Sequence, residues 1–168
     1  LDPATVKLLL ADYNWVVRHA LIRLGSPIPS SALRSLLHGD ANEDVRAAAL
    51  RRLQDSHDSL DLLGQRLSLD SRRRLAELIG ADDPAIPLLA KDRNRRVREV
   101  IARRTGHGDI DPSVVADLSA DRSFLVRREL ARHVPLDVDP QVLVDLATDP
   151  RDEVVDALAD RRGLPDVA

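Results

Sequence analysis

Cysteine is absent from the 168 residues, which excludes disulfides, a thiol nucleophile and thiolate-bound zinc or iron–sulfur centres. Methionine is absent too, so the chain is expected to start downstream of an initiator and to be a piece of something longer. Aromatics are scarce, with one Trp, one Tyr and one Phe. A core without large rings has to be built from Leu, Val, Ile and Ala, which suits thin layers of short helices. No apolar run approaches the roughly 20 residues that span a bilayer, and no signal peptide is expected. The 43% hydrophobic share can fill a core, and the 32% charged share points to a soluble, cytoplasmic protein with no membrane partner.

Charge is unevenly distributed. The net −3 divides into −1 over residues 1–71, +5 over 72–108 and −7 over 109–168. The bases are almost all Arg and the acids mostly Asp; genome composition alone can produce an Arg bias. A basic middle beside an acidic end fits an elongated molecule with differently charged stations.

One pattern recurs along the chain: an Asp, four residues, a branched apolar residue, then Arg. It reads Asp12 with Val17 and Arg18, Asp40 with Val45 and Arg46, Asp92 with Val97 and Arg98, and Asp121 with Val126 and Arg127. Two copies lack the Arg: Asp70 with Leu75 and Ala76, and Asp149 with Val154 and Val155. Pro3, Pro112 and Pro140 each follow an Asp and precede a repeated Asp by nine residues. Asp before Pro is a helix-start signature, since the carboxylate takes free N–H groups and Pro tolerates the first turn. Each unit therefore opens with a short helix. Asn14, Asn42, Asn94 or Ser123, two residues after the repeated Asp, then caps a second helix at a value of about 1 kcal/mol.

The second helices are expected to bury Val17, Leu21 and Leu24 in the first unit and Val97, Val100 and Ile101 in the fourth. They end near Gly25, Thr105–Gly106 or Pro135. Gly106–Gly108 and Pro27–Pro29 read as loops. Pro84 and Pro87 make the opening helix before Asp92 very short or 3₁₀-like. No strand alternation appears. The spacing predicts an all-α domain over 1–168 with units near 1–27, 28–56, 57–82, 83–108, 109–137 and 138–163, and a truncated seventh at Gly163–Pro165. A helix pair of this size cannot bury its apolar stripe alone; stacked on neighbours it forms a continuous core.

The Asp-x-x-x-x-Val-Arg unit behind a Pro-started helix resembles HEAT repeats. Its short period resembles still more the leucine-rich repeat variant (LRV) family, whose units alternate α and 3₁₀ helices. The resemblance runs from Leu1 to about Arg162 and implies a right-handed α-solenoid of about six two-helix repeats, some first helices being 3₁₀. It implies binding of another macromolecule along an extended face. Some LRV-type proteins are associated with an iron–sulfur cluster held by a separate Cys-rich segment, a feature this Cys-free chain cannot carry over.

Four residue groups are candidates for function. The ladder of Asp12, Asp40, Asp70, Asp92, Asp121 and Asp149 with Arg18, Arg46, Arg98 and Arg127 reads as structural, because chemistry needs one special pair rather than six equivalent ones. The outward ridge of the second helices includes Arg74, Arg96, Arg103, Arg128 and Arg132, interrupted by Glu77 and Glu99, and turns acidic at Glu153, Asp156 and Asp160. It reads either as a solvated face or as a groove for an acidic protein segment or phosphate backbone, since Arg forks suit both. Trp15 and Phe124 hold equivalent positions and serve as contact anchors, fill space between units, or shield an end of the stack. His19, His38, His57, His107 and His133 show no metal-ligand spacing, and the nucleophile and phosphate-loop motifs are missing.

The sequence thus predicts a non-enzymatic scaffold that binds a protein partner along its second-helix face, with no catalytic residue, cofactor or metal. The alternative is a nucleic-acid-binding HEAT-like protein. The alkylpurine DNA glycosylases are HEAT-like solenoids of that kind, but they gather aromatics and a catalytic Asp in their cleft. The HEAT-like bilin lyases would imply a tetrapyrrole partner, for which no residue here speaks.

Overall fold

The computed structural model describes residues 1–54, 59–64, 67–107 and 110–161, and every regular element among them is helical. His57 and the seventh unit at Gly163–Pro165 lie outside the described residues. The chain forms two compact units, Leu1–Leu78 and Ile79–Ala168.

The first unit holds α1 (Pro3–Leu10), α2 (Trp15–Arg23), α3 (Ser30–Gly39), α4 (Glu43–Gln54), α5 (Ser59–Leu63) and α6 (Leu69–Leu78). Asp2 accepts from the amides of Ala4 and Thr5 ahead of Pro3, which sets the start of α1. Asn14 and Asn42 cap α2 and α4 through their side-chain oxygens. Helix α4 packs against α2, α3 and α6, while α1 packs on α2. The apolar positions Val45, Ala49, Leu50 and Leu53 of α4 are fully buried, and Leu21, Ile22, Leu33, Leu37 and Leu75 are buried on the helices that pack against it. Small Ala side chains among the Leu let the helices approach closely, which is how a core without rings is filled.

The second unit holds α7 (Ile86–Ala90), α8 (Arg95–Arg104), a 3₁₀ turn at Thr105–His107, α9 (Pro112–Ser119), α10 (Phe124–His133), α11 (Pro140–Ala147) and α12 (Asp152–Ala159). Asp111 and Asp139 cap α9 and α11 immediately before their prolines. Helix α10 packs between α8 and α12, and α9 between α7 and α11, giving two layers of three. Val97, Val100, Ile101, Val126, Leu130 and Val154 fill the space between the layers.

Several details depart from the sequence-based expectations. Leu24 is 76% exposed rather than buried. Helix α2 stops at Arg23, Leu24 closes it through its amide on the Ala20 carbonyl, and Gly25 leaves at φ 74°, so Ile22 turns inward instead. Val17 is only half-buried. Ser123 stands at the start of α10 but its side chain makes no capping bond. Helix α7 is very short, five residues, as Pro84 and Pro87 predict, but it is α-helical; the 3₁₀ segment among the described residues follows a second helix, α8, rather than forming a first one. Gly106 in that turn is not a free loop residue, because a Cβ there would come within 2.9 Å of the His133 carbonyl oxygen.

The third unit also shifts in register. Asp70 lies inside the first turn of α6, not ahead of it. Ser68 occupies the capping position: its hydroxyl accepts from the Ser71 amide and its carbonyl from the Arg72 amide. Arg72 Nη1 donates to the Leu67 carbonyl at 2.7 Å, as Arg18 does to Tyr13 and Arg46 to Ala41. Buried Ser71 therefore stands where the other units carry Val, and Arg72 where four of them carry the repeated Arg. Counting back from Ser68 puts Arg66 where Asp stands elsewhere, and the starts 12, 40, 66, 92, 121 and 149 are more evenly spaced. Leu75 and Ala76, which suggested the Asp70 register, are buried one turn further along.

Candidate functional site

The repeated Asp and Arg build a clamp that recurs three times in full among the described residues. Arg18 grips Asp40 with Nε and Nη2, both at 2.7 Å, while its Nη1 takes the Asp12 carbonyl at 2.6 Å. Arg98 does the same to Asp121 and the Asp92 carbonyl, and Arg127 to Asp149 and the Asp121 carbonyl. Each Asp also accepts the amide two residues on, which closes the turn before the second helix. One guanidinium thus spans its own turn and the next, meeting the carboxylate bidentately through Nε and Nη2 and a backbone carbonyl through Nη1. The Arg98 and Asp121 side chains are only 5% and 8% exposed. The Arg18 hydrogen bond holds the Asp40 carboxyl below the usual carboxylate range, against the opposing effect of burial, and Arg127 does likewise for Asp149. The partner guanidiniums of Arg18, Arg98 and Arg127 are in turn more firmly protonated. Among the described residues Arg46 reaches only the carbonyls of Asp40 and Ala41. Asp70 faces solvent and lies 3.7 Å from Arg73, so it takes no place in this clamp.

The outward ridge is less uniform than its sequence suggests. Arg96 is exposed and makes no ion pair among the described residues. Arg103 is engaged: its Nε donates to Glu129 Oε1 at 2.7 Å. Arg132 lies 3.5 Å and His133 3.9 Å from the same carboxylate. Burial pushes the Glu129 carboxyl up, but the Arg103 hydrogen bond and the charges of Arg103, His133 and Arg132 outweigh it and hold it below its usual range. Arg128 is half-buried and its Nε lacks a hydrogen-bond partner among the described residues. Glu153 and Asp156 are exposed on α12, and Asp160 is exposed just past its end. Arg74 belongs to α6 in the first unit, donates to Glu77 at 2.8 Å, and borders clefts against α4.

Sequence reasoning missed Glu129, whose single carboxylate gathers three basic groups from α8 and α10. It also missed Arg52 and Arg104, each twelve residues after a repeated Asp. Arg52 donates to the Ile22 and Ser26 carbonyls and Arg104 to the Ile79 carbonyl, satisfying backbone groups left open where a preceding helix ends. Their shared offset was the available signal.

Trp15 is 40% exposed and tilts against the His19 ring at 6.2 Å, whereas Phe124 is half-buried beneath the Arg151 guanidinium, 4.8 Å from its centroid. The two equivalent aromatics therefore have different surroundings. An apolar groove of about 900 Å³ runs between α1 and α3, over Val6, Leu10, Pro27 and Leu36. Among the described residues no group of His, Asp and Glu is arranged to hold a metal ion, and no helix is long and apolar enough to cross a membrane.

Compared with known proteins, the chain matches no family model and no curated protein sequence.

Proposed function

We propose that the chain is a non-enzymatic, cytoplasmic interaction scaffold whose repeats are LRV/HEAT-like, stack within each unit as in a right-handed α-solenoid, and bind a protein partner along the second helices. The observation that carries this reading is the common outward face of α8, α10 and α12. It offers exposed Arg96 at one side and exposed Glu153 and Asp156 at the other, none of them consumed by an ion pair among the described residues. The internal pairing of Arg103 and Arg132 with Glu129 assigns them to the fold as much as to a partner, so Arg96 and Arg128 carry the expected contact on the basic side. Phe124, covered by Arg151, is a lesser contributor.

The test is capture of partners by the immobilised chain, compared with an Arg96→Glu, Asp156→Lys double variant that melts like the parent. Loss of the same specific partner supports the reading; undiminished capture removes this face from consideration.

A second reading, nucleic-acid binding, is favoured by the edge where Arg122, before α10, donates through Nη2 to the carbonyl of Arg93, before α8, with Arg95 and Arg96 in the first turn of α8. Phosphate contacts are strongest at low salt, so a DNA and RNA titration at low salt decides it, and no binding there excludes it.

A further inference from the structure

We propose that the cleft between α2 and α4 in the first unit is a binding site for a phosphate monoester. This inference concerns a different surface from the one above and does not depend on it.

The cleft arises from side-chain size. On α4 the positions facing it are Ala47 and Ala48, whereas the matching positions of α8 are Glu99 and Val100, and those of α10 are Arg128 and Glu129. Together with Gly25 and Ile22 the two alanines make an uncharged floor to a depression of about 550 Å³. That volume lies within the range of small-ligand sites. Arg23, Arg51, Arg52 and Arg74 border it, beside His19 and a single acid, Asp44.

The arginines are not equivalent. Arg52 is held by two carbonyls where α2 ends, at 2.6 and 2.8 Å. The end of a helix is electronegative and would repel an anion; Arg52 neutralises that end of α2 from beneath. Arg74 donates to Glu77. Arg23 and Arg51 are exposed, lie in the last turns of α2 and α4, and make no ion pair among the described residues. Two free guanidinium forks beside a neutralised helix end suit a doubly charged oxyanion better than a single carboxylate. Asp44 lies seven residues before Arg51, about 10 Å along the helix, so the charged group belongs at the Arg23–Arg51 end and the ligand's uncharged body on the alanine floor.

A phosphate monoester can come from a phosphorylated side chain or from a mononucleotide. The full chain is titrated at low salt with phenyl phosphate, inorganic phosphate, a phosphotyrosine peptide and AMP, followed by backbone amide shifts. Phenyl phosphate is expected to bind more tightly than inorganic phosphate and to shift Ile22, Gly25 and Ala48. The stronger of the peptide and AMP identifies the source. Arg23→Gln with Arg51→Gln weakens phenyl phosphate binding by roughly tenfold or more. Ala47→Leu, which keeps every charge but occupies the floor, weakens it as well. Absence of binding at millimolar concentrations, shifts confined to residues outside α2 and α4, or unchanged affinity in Ala47→Leu would each overturn the proposal, the last by reducing the effect to diffuse surface charge. The shift map of the parent chain stands even where a variant fails to fold.

Discussion

At the scale of single residues, the account turns on a guanidinium that serves two turns at once. Arg18, Arg98 and Arg127 each satisfy a carbonyl of their own turn and both oxygens of the following Asp. Partial burial makes these pairs differ from surface ion pairs worth about 0–1 kcal/mol: removing one partner strands a desolvated charge. Asp149→Ala is therefore expected to cost about 3 kcal/mol in urea unfolding, whereas the exposed Arg34–Asp61 pair should tolerate Asp61→Ala with a change of at most about 1 kcal/mol. Acid sensitivity has a definite sign. The folded pKa values of Asp40 and Asp149 are lowered, so between those values and about 3.9 the unfolded chain binds more protons. Their contribution is complete above roughly pH 4 to 5 and disappears as pH falls through the folded values. Urea unfolding across pH 2–6 is expected to show this loss, with a shallower decline in Asp40→Asn; an identical slope in that variant would contradict it.

At the scale of elements, helix starts were legible because Asp–Pro and Asn signals act locally, through side-chain oxygens reaching amides two or three residues away. Asp2, Asp111, Asp139, Asn14, Asn42 and Asn94 all cap as their sequence positions suggest. The third unit departs from the expected register because Asp70 fits the motif by residue type but lies in the first turn of a helix already begun. Ser68 stands where three other units carry Asn, and Ser71 where the other units carry Val, and no Asp–Val spacing could reveal that. The two registers differ in what they demand. Ser68→Ala should lose a cap worth about 1 kcal/mol, and Asp70→Asn only a few tenths; the reverse order in thermal melts would restore the Asp70 register. Truncation of Val97 or Val126 to Ala, at fully buried positions between the layers, should cost about 1–3 kcal/mol. Gly106→Ala drives a methyl against the His133 carbonyl and should cost a similar amount, about 1–3 kcal/mol. The close approach that makes Gly106 necessary is a tertiary fact, invisible in a Gly–His–Gly string read alone.

At the scale of the whole molecule, periodicity carried the helical architecture, while charge carried less of the surface than its sequence pattern suggested. Arg103 and Arg132 lie on the expected ridge, yet Glu129 gathers both, because a carboxylate eight residues after one repeated Asp faces an Arg eleven residues after the previous one. Such pairings depend on how adjacent helices are set against each other, and composition by segment averages them away. The same applies to the cleft at Ala47 and Ala48, which exists through small side chains rather than through any motif. Each unit, taken by itself, carries the same clamp, at Arg18 in the first and at Arg98 and Arg127 in the second, linking a second helix to the turn that follows. A double-mutant cycle on Arg98→Met and Asp121→Leu, read from urea unfolding at pH 7, measures that link directly. The account predicts a coupling of about 1.5–3 kcal/mol, with each single variant worse than the double; additive effects with no coupling would contradict it.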